Sequence, residues 1–156
     1  MPLARTLLAL ALAVLPFAAA KADPKRIAFP EGYEKTWLPY AVHNRPDNGQ
    51  VRHLFANPVA VEAAKDGKAV PIGAILMMEV YKAKTDAANQ PVAGPDGLWE
   101  KGDVVFYGLM QTGAGWGDEH PEAIRNGDWN YATFSPGKTH NPQMVEKPCL
   151  ECHKAL

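Results

Sequence analysis

The most regular pattern of apolar and polar positions lies between residues 73 and 84, which read GAILMMEVYKAK. Successive side chains of a β-strand point to opposite faces, so every second residue shares a face. One face of the predicted strand carries Ile75, Met77, Glu79 and Tyr81, and the other carries Leu76, Met78, Val80 and Lys82. The face with Leu76, Met78 and Val80 is the more apolar. This segment is the clearest strand in the chain.

Three other segments predict strands, at residues 51–55, 103–111 and 128–137. They are rich in the β-branched and aromatic residues that favour extended structure. Gly108 lies in the middle of the second segment. A glycine in a strand interior often marks a bulge or the close approach of another group.

Residues 57–67, NPVAVEAAKDG, carry the end signals of a short helix. Asn57 suits the N-cap because its side chain can accept a hydrogen bond from the first turn. Pro58 fits that first turn, and Gly67 suits the C-terminal cap. The sequence therefore predicts one helix between the first two strands.

The remaining segments are less regular. Residues 23–48 are punctuated by proline and glycine and are expected to be irregular, with Trp37 and Tyr40 anchored on the core. The glycine-rich stretch 113–127 is expected to be a loop, with a short helix over 121–126. Together these elements predict a mainly β fold of the α+β class, with a few short helices.

Residues 1–22 have the layout of a secretory signal peptide. Arg5 precedes an apolar run, and small residues lead up to Ala22. The uncharged stretch from Thr6 to Ala20 has 15 residues, fewer than the ~20 that a membrane-spanning helix needs. We therefore expect export to the periplasm, cleavage near Ala22 and no membrane contact afterwards. A retained anchor or lipid tether is the alternative.

Residues 23–156 are expected to form a single domain. Removing residues 1–22 from the 156-residue chain leaves 134 residues, enough for one compact core. The removed part contains two basic residues and no acidic one, which leaves 14 basic and 17 acidic residues and a formal charge of −3. This balance does not favour a nucleic-acid or anionic-membrane partner.

The only two cysteines of the chain occur together in Cys149-Leu150-Glu151-Cys152-His153. This matches C-x-x-C-H, the pattern for covalent attachment of a c-type haem. Residues i, i+3 and i+4 share one face of a helix. Both thiols can then reach the vinyl groups of one porphyrin while His153 ligates its iron. The motif predicts one covalent haem c, held on a helix near the C-terminus.

A disulfide, a zinc site and a free dithiol are the alternatives for the two cysteines. A closed zinc site has four ligands, usually in two pairs with short spacings of their own. The sequence shows no second pair of that kind.

The ligand on the opposite side of the iron is not fixed by the sequence. Only three residues follow His153, so a sixth ligand is expected from earlier in the chain. Methionine and histidine are the usual choices. The candidates are Met77, Met78, Met110, Met144, His43, His53, His120 and His140. Each also has an ordinary explanation, as flexible core filler or as a surface or hydrogen-bonding histidine.

Four blocks of the chain resemble the cytochrome P-460 family and its relative cytochrome c-prime-beta. They are FPEGYEKTW, VRHLFANPVAVEAAKDGKAVPIGAILMMEVYK, GDWNYATF and CLECHKAL. The resemblance implies a homodimer of mainly antiparallel β structure. It also implies a five-coordinate haem with His153 as proximal ligand and a distal pocket open to small molecules.

The two branches of this resemblance imply different chemistry. In the P-460 branch, a lysine on the glycine-started strand is cross-linked to the porphyrin, and the protein oxidises hydroxylamine. In the c-prime-beta branch the link is absent, and the haem binds nitric oxide and carbon monoxide beneath an apolar, phenylalanine-rich cap.

This sequence departs from the P-460 branch at the lysine. The best register places Met78 at that position, and Lys82 lies about 13 Å further along the strand. A distal pocket with Met78, Phe55 and Phe106 would be uncharged. Such a pocket fits gas binding better than hydroxylamine oxidation, since it leaves a bound ligand without charged hydrogen-bond donors.

Three functions therefore stand as alternatives. The first is a periplasmic monohaem protein that binds nitric oxide or related small nitrogen species and has an unknown redox partner. The second is an electron carrier in which Met78 or Met110 is the sixth ligand. The third is a hydroxylamine oxidoreductase of the P-460 type.

Overall fold

The computed structural model describes residues 23–154, and the predicted signal peptide lies outside them. Five strands form one antiparallel sheet in the order β1-β2-β3-β4-β5, so each strand pairs with its neighbours in sequence. The strands are β1 (Leu38–Arg45), β2 (Gln50–Ala56), β3 (Ile75–Ala83), β4 (Lys101–Thr112) and β5 (Trp129–Phe134).

Three short helices accompany the sheet: α1 (Tyr33–Thr36), α2 (Pro58–Lys65) and α3 (Lys147–Lys154). Single 3-10 turns occur at Pro24–Arg26 and Trp116–Glu119. Within the part of the chain that the structure describes, no helix is long and apolar enough to cross a membrane. The expected mainly β, α+β fold with an antiparallel sheet is confirmed.

Strand β1 was not predicted, because it lies in the proline-rich segment that was expected to be irregular. It is an edge strand, where a proline is tolerated because it removes no hydrogen bond from the sheet interior. The pairing with β2 shifts between Pro39 and Ala41, which leaves Tyr40 without a partner residue. Tyr40 is 47% exposed, so the expectation that it anchors the segment on the core was wrong. Trp37 does pack against the core.

The short helix expected over residues 121–126 is only a turn. The N–H groups of Ile124 and Arg125 both donate to the Pro121 carbonyl. Gly127 then takes a φ of 51°, in the left-handed region that favours glycine. The one helical turn in this stretch is the 3-10 turn at Trp116–Glu119.

Asn57 caps α2 as expected and also joins it to β3. Its side-chain oxygen accepts hydrogen bonds from the N–H groups of Ala60 and Ile75, both at 3.0 Å. Its amide donates to the Gly73 carbonyl at 2.9 Å. Gly67 follows the helix with a φ of 60°, which fits the predicted C-terminal cap. The bonds from Asn57 to Gly73 and Ile75 therefore fix where β3 begins.

The hydrophobic core lies on one face of the sheet, which we call the core face. Its buried members are Ile27, Tyr33, Met77, Tyr107, Leu109, Ala132 and Phe134. The chain before β1 covers this face, with Phe29 packed edge-on against Tyr107 and Phe134. The core face is therefore closed by the N-terminal segment.

One carboxylate is buried in the core face. Glu79 is 5% exposed, and it accepts hydrogen bonds from the hydroxyl groups of Tyr33 and Tyr81. Burial and the bond to Glu79 raise the pKa of both tyrosines, so they remain donors at physiological pH. These bonds explain how a charged residue occupies the middle of β3, since a buried carboxylate needs partners.

The opposite face of the sheet is the site face. Leu54, Met78, Gly108 and Thr133 form one row across β2 to β5. Ala56, Leu76, Met110 and Tyr131 form the next row. Helix α3 packs at the β5 end of these rows, where Leu150 is only 1% exposed. A space therefore remains between α3 and the site face.

Candidate functional site

A cavity of about 650 Å³ occupies the space between α3 and the site face. Its size falls within the range of sites for small molecules and cofactors. Its walls are mainly apolar. The sheet residues that line it include Leu54, Leu76, Met78, Phe106, Gly108, Met110 and Tyr131. Cys149 and His153 close it from the side of α3.

Helix α3 brings Cys149 and His153 of the C-x-x-C-H motif to this cavity. The N–H groups of Cys149 and Leu150 both donate to the Glu146 carbonyl, at 2.9 and 3.0 Å, and so begin the helix. Both cysteines are free thiols. Burial raises the pKa of the Cys149 thiol, whereas Cys152 is exposed. One turn of helix thus sets the Cys149 thiol and the His153 imidazole at the same end of the cavity, while the Cys152 thiol lies outside its lining.

His153 lies against an aromatic side chain that the sequence analysis did not single out. The rings of Tyr131 and His153 are 5.3 Å apart between centroids. Asn126 donates its amide N–H to the Tyr131 hydroxyl at 2.7 Å. Burial raises the pKa of Tyr131 to about 12, so the phenol stays neutral. The imidazole therefore has a fixed, uncharged neighbour.

Glu146 joins α3 to β5 beneath the cavity. Its side-chain oxygen accepts a hydrogen bond from the Tyr131 N–H at 3.2 Å, while its backbone carbonyl begins the helix. The side chain is buried, and burial raises the pKa of its carboxyl. At the other end of α3, Lys154 donates to the carbonyls of Glu122 and Ala123, both at 2.8 Å. The helix is thus held at both ends.

Gly108 makes the opposite wall of the cavity low and flat. It pairs in register with Met78 and Thr133, so it marks a close approach and not a bulge. A Cβ at this position would lie 3.3 Å from the Met78 methyl and 3.6 Å from the Phe106 ring. The absence of a side chain therefore lets both of these residues lie close to the sheet.

The structure brings together only two of the three side chains expected in the distal pocket. Met78 and Phe106 line the cavity. Phe55 does not, which corrects the expectation: it pairs with Met77 and points to the core face, where its ring lies 5.3 Å from that of Tyr33. A difference of one residue in a strand reverses the face on which a side chain lies.

The methionines expected as candidate sixth ligands take different positions. Met110 lines the cavity together with Met78. Met77 borders the cavity, but its side chain is 2% exposed and belongs to the core. Met144 is not among the lining residues.

The candidate histidines have structural surroundings of their own. His120 is buried and lies 2.6 Å from the Asn130 side-chain oxygen. His140 packs on Phe134, with centroids 4.3 Å apart. His53 lies on the core face beside Tyr81, and His43 is exposed. Of the described histidines, only His153 lines the cavity.

These residues fit a haem better than the alternatives. No group of three or more His, Cys, Asp or Glu side chains in residues 23–154 is arranged to hold a metal ion, which leaves a zinc site without its ligand set. Cys149 and His153 line one end of an apolar cavity, and the exposed Cys152 lies on the same short helix. Two thiols and an imidazole on one helix are the donor set that a porphyrin attached through thioethers needs.

Several residues around the site were not predicted from the sequence. Trp129 and Tyr131 belong to the strand predicted over residues 128–137, and their alternation could have placed them on one face. Asn126 comes from a turn, and Tyr40 comes from a β-bulge. These two positions carry no periodic signal that would identify them.

Comparison with protein families gives one match. A family model described as cytochrome P460 matches residues 30–156. Comparison with curated proteins finds no significant match. The matched residues include all five strands and the C-x-x-C-H motif.

Proposed function

The chain belongs to the cytochrome P460 family, which makes it a haem protein, and we propose that its haem is five-coordinate and binds small nitrogen species such as nitric oxide. The observation that carries this proposal is the wall facing His153. Among the described residues that line the cavity, the ionisable side chains are those of Tyr40, Tyr131, Cys149 and His153. None of these residues is an aspartate, glutamate, lysine or arginine. An apolar, uncharged wall favours a small neutral ligand.

Three residues would hold the haem. The thiols of Cys149 and Cys152 would form the thioethers, and His153 would ligate the iron from the side of α3. A haem held in this way would supply one open coordination position. Tyr131 lies against the imidazole ring, and Met78 and Phe106 on the facing strands would keep water from the bound ligand.

The same wall argues against hydroxylamine oxidation as the main activity. Oxidation of hydroxylamine releases protons, and a positioned base accelerates such steps. No carboxylate or lysine is present among the described lining residues. Met78 stands where the resemblance places the cross-linking lysine, and Lys82 is exposed four residues further on.

An electron carrier is the second candidate function. Met78 and Met110 both line the cavity, and a thioether is a usual sixth ligand in electron-transfer cytochromes. Their presence at the site is the specific observation that favours this alternative.

The visible spectrum of the reduced protein separates these functions. We expect a high-spin, five-coordinate spectrum that shifts when nitric oxide or carbon monoxide is added. A low-spin spectrum that neither gas changes would contradict the proposal and support the electron carrier. A double variant, Cys149→Ala with Cys152→Ala, is the control and should contain no covalent haem.

Mass spectrometry and turnover measurements test the enzyme. The haem peptide should show two thioethers and no third protein–porphyrin bond. A third bond, together with hydroxylamine turnover with an artificial electron acceptor, would favour the oxidoreductase.

Export and self-association complete the proposal. We propose a periplasmic location after cleavage near Ala22, supported by the layout of residues 1–22 and by the attachment of c-type haem outside the bacterial cytoplasm. We also propose a homodimer, supported by large apolar side chains that remain exposed, namely Leu38, Val59, Val70 and Ile72. N-terminal sequencing and light scattering of the mature protein test these two points.

A further inference from the structure

Tyr40 lies where the cavity meets solvent. Among the described residues that line the cavity, Tyr40 alone is exposed, with 47% of its surface accessible, and every other one is buried or partly buried. Tyr40 belongs to β1, the edge strand of the sheet. The cavity therefore has a mouth at the β1 edge, and one side of this mouth is an aromatic ring.

A bulge in β1 turns this ring toward the cavity. The neighbours of Tyr40, Pro39 and Ala41, pair with consecutive residues of β2, so Tyr40 is the extra residue between them. Bulges are frequent at sheet edges and beside functional sites, where they redirect one side chain. In this protein the redirected side chain is the one that lines the mouth of the cavity.

Little holds the Tyr40 ring in a single position. Within the part of the chain that the structure describes, the hydroxyl groups of Tyr33, Tyr81 and Tyr131 are hydrogen-bonded, whereas that of Tyr40 is not. The backbone of Tyr40 has no partner residue in β2. An exposed side chain without such bonds changes rotamer within nanoseconds. The ring is therefore free to move between covering and clearing the mouth.

The phenol of Tyr40 is also uncharged. Partial burial raises its pKa, so the hydroxyl group keeps its proton at neutral pH. A neutral molecule that passes the ring meets no charge there, and its entry depends on its size.

We propose that Tyr40 is the gate of the cavity and limits the size of the ligands that reach the site. This inference rests on the proposed function for the kind of ligand, a small neutral molecule that binds at the haem. The gate itself is formed by the protein chain alone. A group that only obstructs the path changes the barrier for entry and for exit alike, and it leaves the affinity unchanged.

The test measures ligand binding to the reduced, haem-loaded protein by flash photolysis and stopped flow. Carbon monoxide, methyl isocyanide and n-butyl isocyanide are the probes, because all three are uncharged ligands of reduced haem iron and they differ in size. Tyr40→Ala removes the ring. We expect association and dissociation rate constants for n-butyl isocyanide to rise together by about tenfold, with Kd unchanged. The rise should be smaller for methyl isocyanide and smallest for carbon monoxide.

Leu38→Ala is the matched control. Leu38 lies on the same strand and on the site face, since it pairs with Ala56. It is 50% exposed but does not line the cavity. We expect wild-type rates in Leu38→Ala. Because Leu38 is also one of the exposed apolar residues that support the proposed homodimer, this variant controls for altered self-association.

Two further substitutions separate the ring of Tyr40 from its hydroxyl group. Tyr40→Phe keeps the ring and should retain wild-type rates. Tyr40→Trp enlarges the ring and should slow both entry and exit of n-butyl isocyanide. Should Tyr40→Ala not accumulate, Tyr40→Trp carries the test in the opposite direction.

Several results would overturn the gate. A changed Kd in Tyr40→Ala or Tyr40→Phe would mean that Tyr40 contacts the bound ligand. Rates that match wild type in Tyr40→Ala would place the entry path elsewhere. Equal changes in Tyr40→Ala and Leu38→Ala would assign the effect to the surface of β1 and not to the mouth.

Failure of the proposed function gives a different result from failure of the gate. If the wild type contains no haem, the proposed function fails. The same variants are then compared by stopped-flow fluorescence as the uncharged naphthalene dye prodan enters the haem-free cavity. Faster entry and exit in Tyr40→Ala, at unchanged Kd, would support the gate, and rates equal to wild type would overturn it.

Discussion

The ring of Tyr131 on β5 lies 5.3 Å from the ring of His153 on α3, at an interplanar angle of 36°. Tyr131 is 4% exposed, and its backbone N–H donates to Glu146 at the start of the same helix. One residue of the sheet therefore contacts both the ligand-bearing side chain and the beginning of the helix that carries it. The orientation of the proximal imidazole depends on how β5 and α3 pack.

Replacing Tyr131 tests this dependence. Tyr131→Ala removes a buried ring and is expected to lower the free energy of unfolding by about 3 to 5 kcal/mol. Tyr131→Phe keeps the ring and loses the hydrogen bond from Asn126, at a cost of about 1 kcal/mol. Chemical denaturation of the haem-loaded protein measures both values. Equal effects of the two substitutions would show that the ring contact contributes nothing.

Replacing the two cavity methionines tests the coordination of the iron. With a five-coordinate haem, Met78→Ala and Met110→Ala should leave the reduced spectrum high-spin and free of a methionine–iron charge-transfer band. Met144→Ala is a control outside the cavity. Loss of such a band in one variant only would identify that methionine as the sixth ligand and replace the gas-binding proposal.

Two glycines close to the site are expected to tolerate alanine very differently. A Cβ on Gly117 would lie 2.1 Å from the Gly127 carbonyl oxygen, and backbone on both sides must move to accommodate it. Gly117→Ala should therefore cost about 3 kcal/mol or more. At Gly108 the contact is the flexible end of Met78 at 3.3 Å, so Gly108→Ala should cost about 1 kcal/mol or less.

Thermal unfolding of the two alanine variants provides the comparison. A larger loss at Gly108 than at Gly117 would mean that the turn at residue 127 adjusts more easily than the wall of the cavity.

The buried carboxyl of Glu146 should make stability depend on pH. Burial raises its pKa in the folded protein above the ordinary 4.5, so the folded state keeps this proton to higher pH than the unfolded chain does. The contribution of Glu146 to the free energy of unfolding therefore falls as pH rises from about 4.5 through the folded pKa. Glu146→Gln can still accept the Tyr131 N–H and removes the titration.

We expect Glu146→Gln to flatten this part of the pH profile and to gain stability relative to wild type at pH 7. Urea denaturation at several pH values measures the difference, with Glu122→Gln at an exposed position as the matched control. Parallel profiles for wild type and Glu146→Gln would contradict the expected titration.

Periodicity predicted most of the sheet because the strands follow it. The segment around Met78 alternates as a strand should, and Asn57 and Gly67 end α2 in the ways their chemistry favours. Strand β1 was missed because Pro39 and the bulge at Tyr40 interrupt its alternation. Local patterns identify elements well when nothing breaks their period.

The candidate site was predictable only where chemistry and spacing coincide. Cys149, Cys152 and His153 are identified by their spacing alone, whereas the side chains around them depend on how strands pair. Phe55 was assigned to the pocket for its aromatic character, but its pairing with Met77 turns it to the core face.

The neighbour-to-neighbour order of the five strands has a consequence for biogenesis. A meander of this kind needs no distant crossover, and structures built from local pairings form quickly. Helix α3 meets the sheet through few residues, so the sheet can form before the helix docks. An undocked α3 would leave both thiols accessible for attachment of a haem before the helix packs on β5.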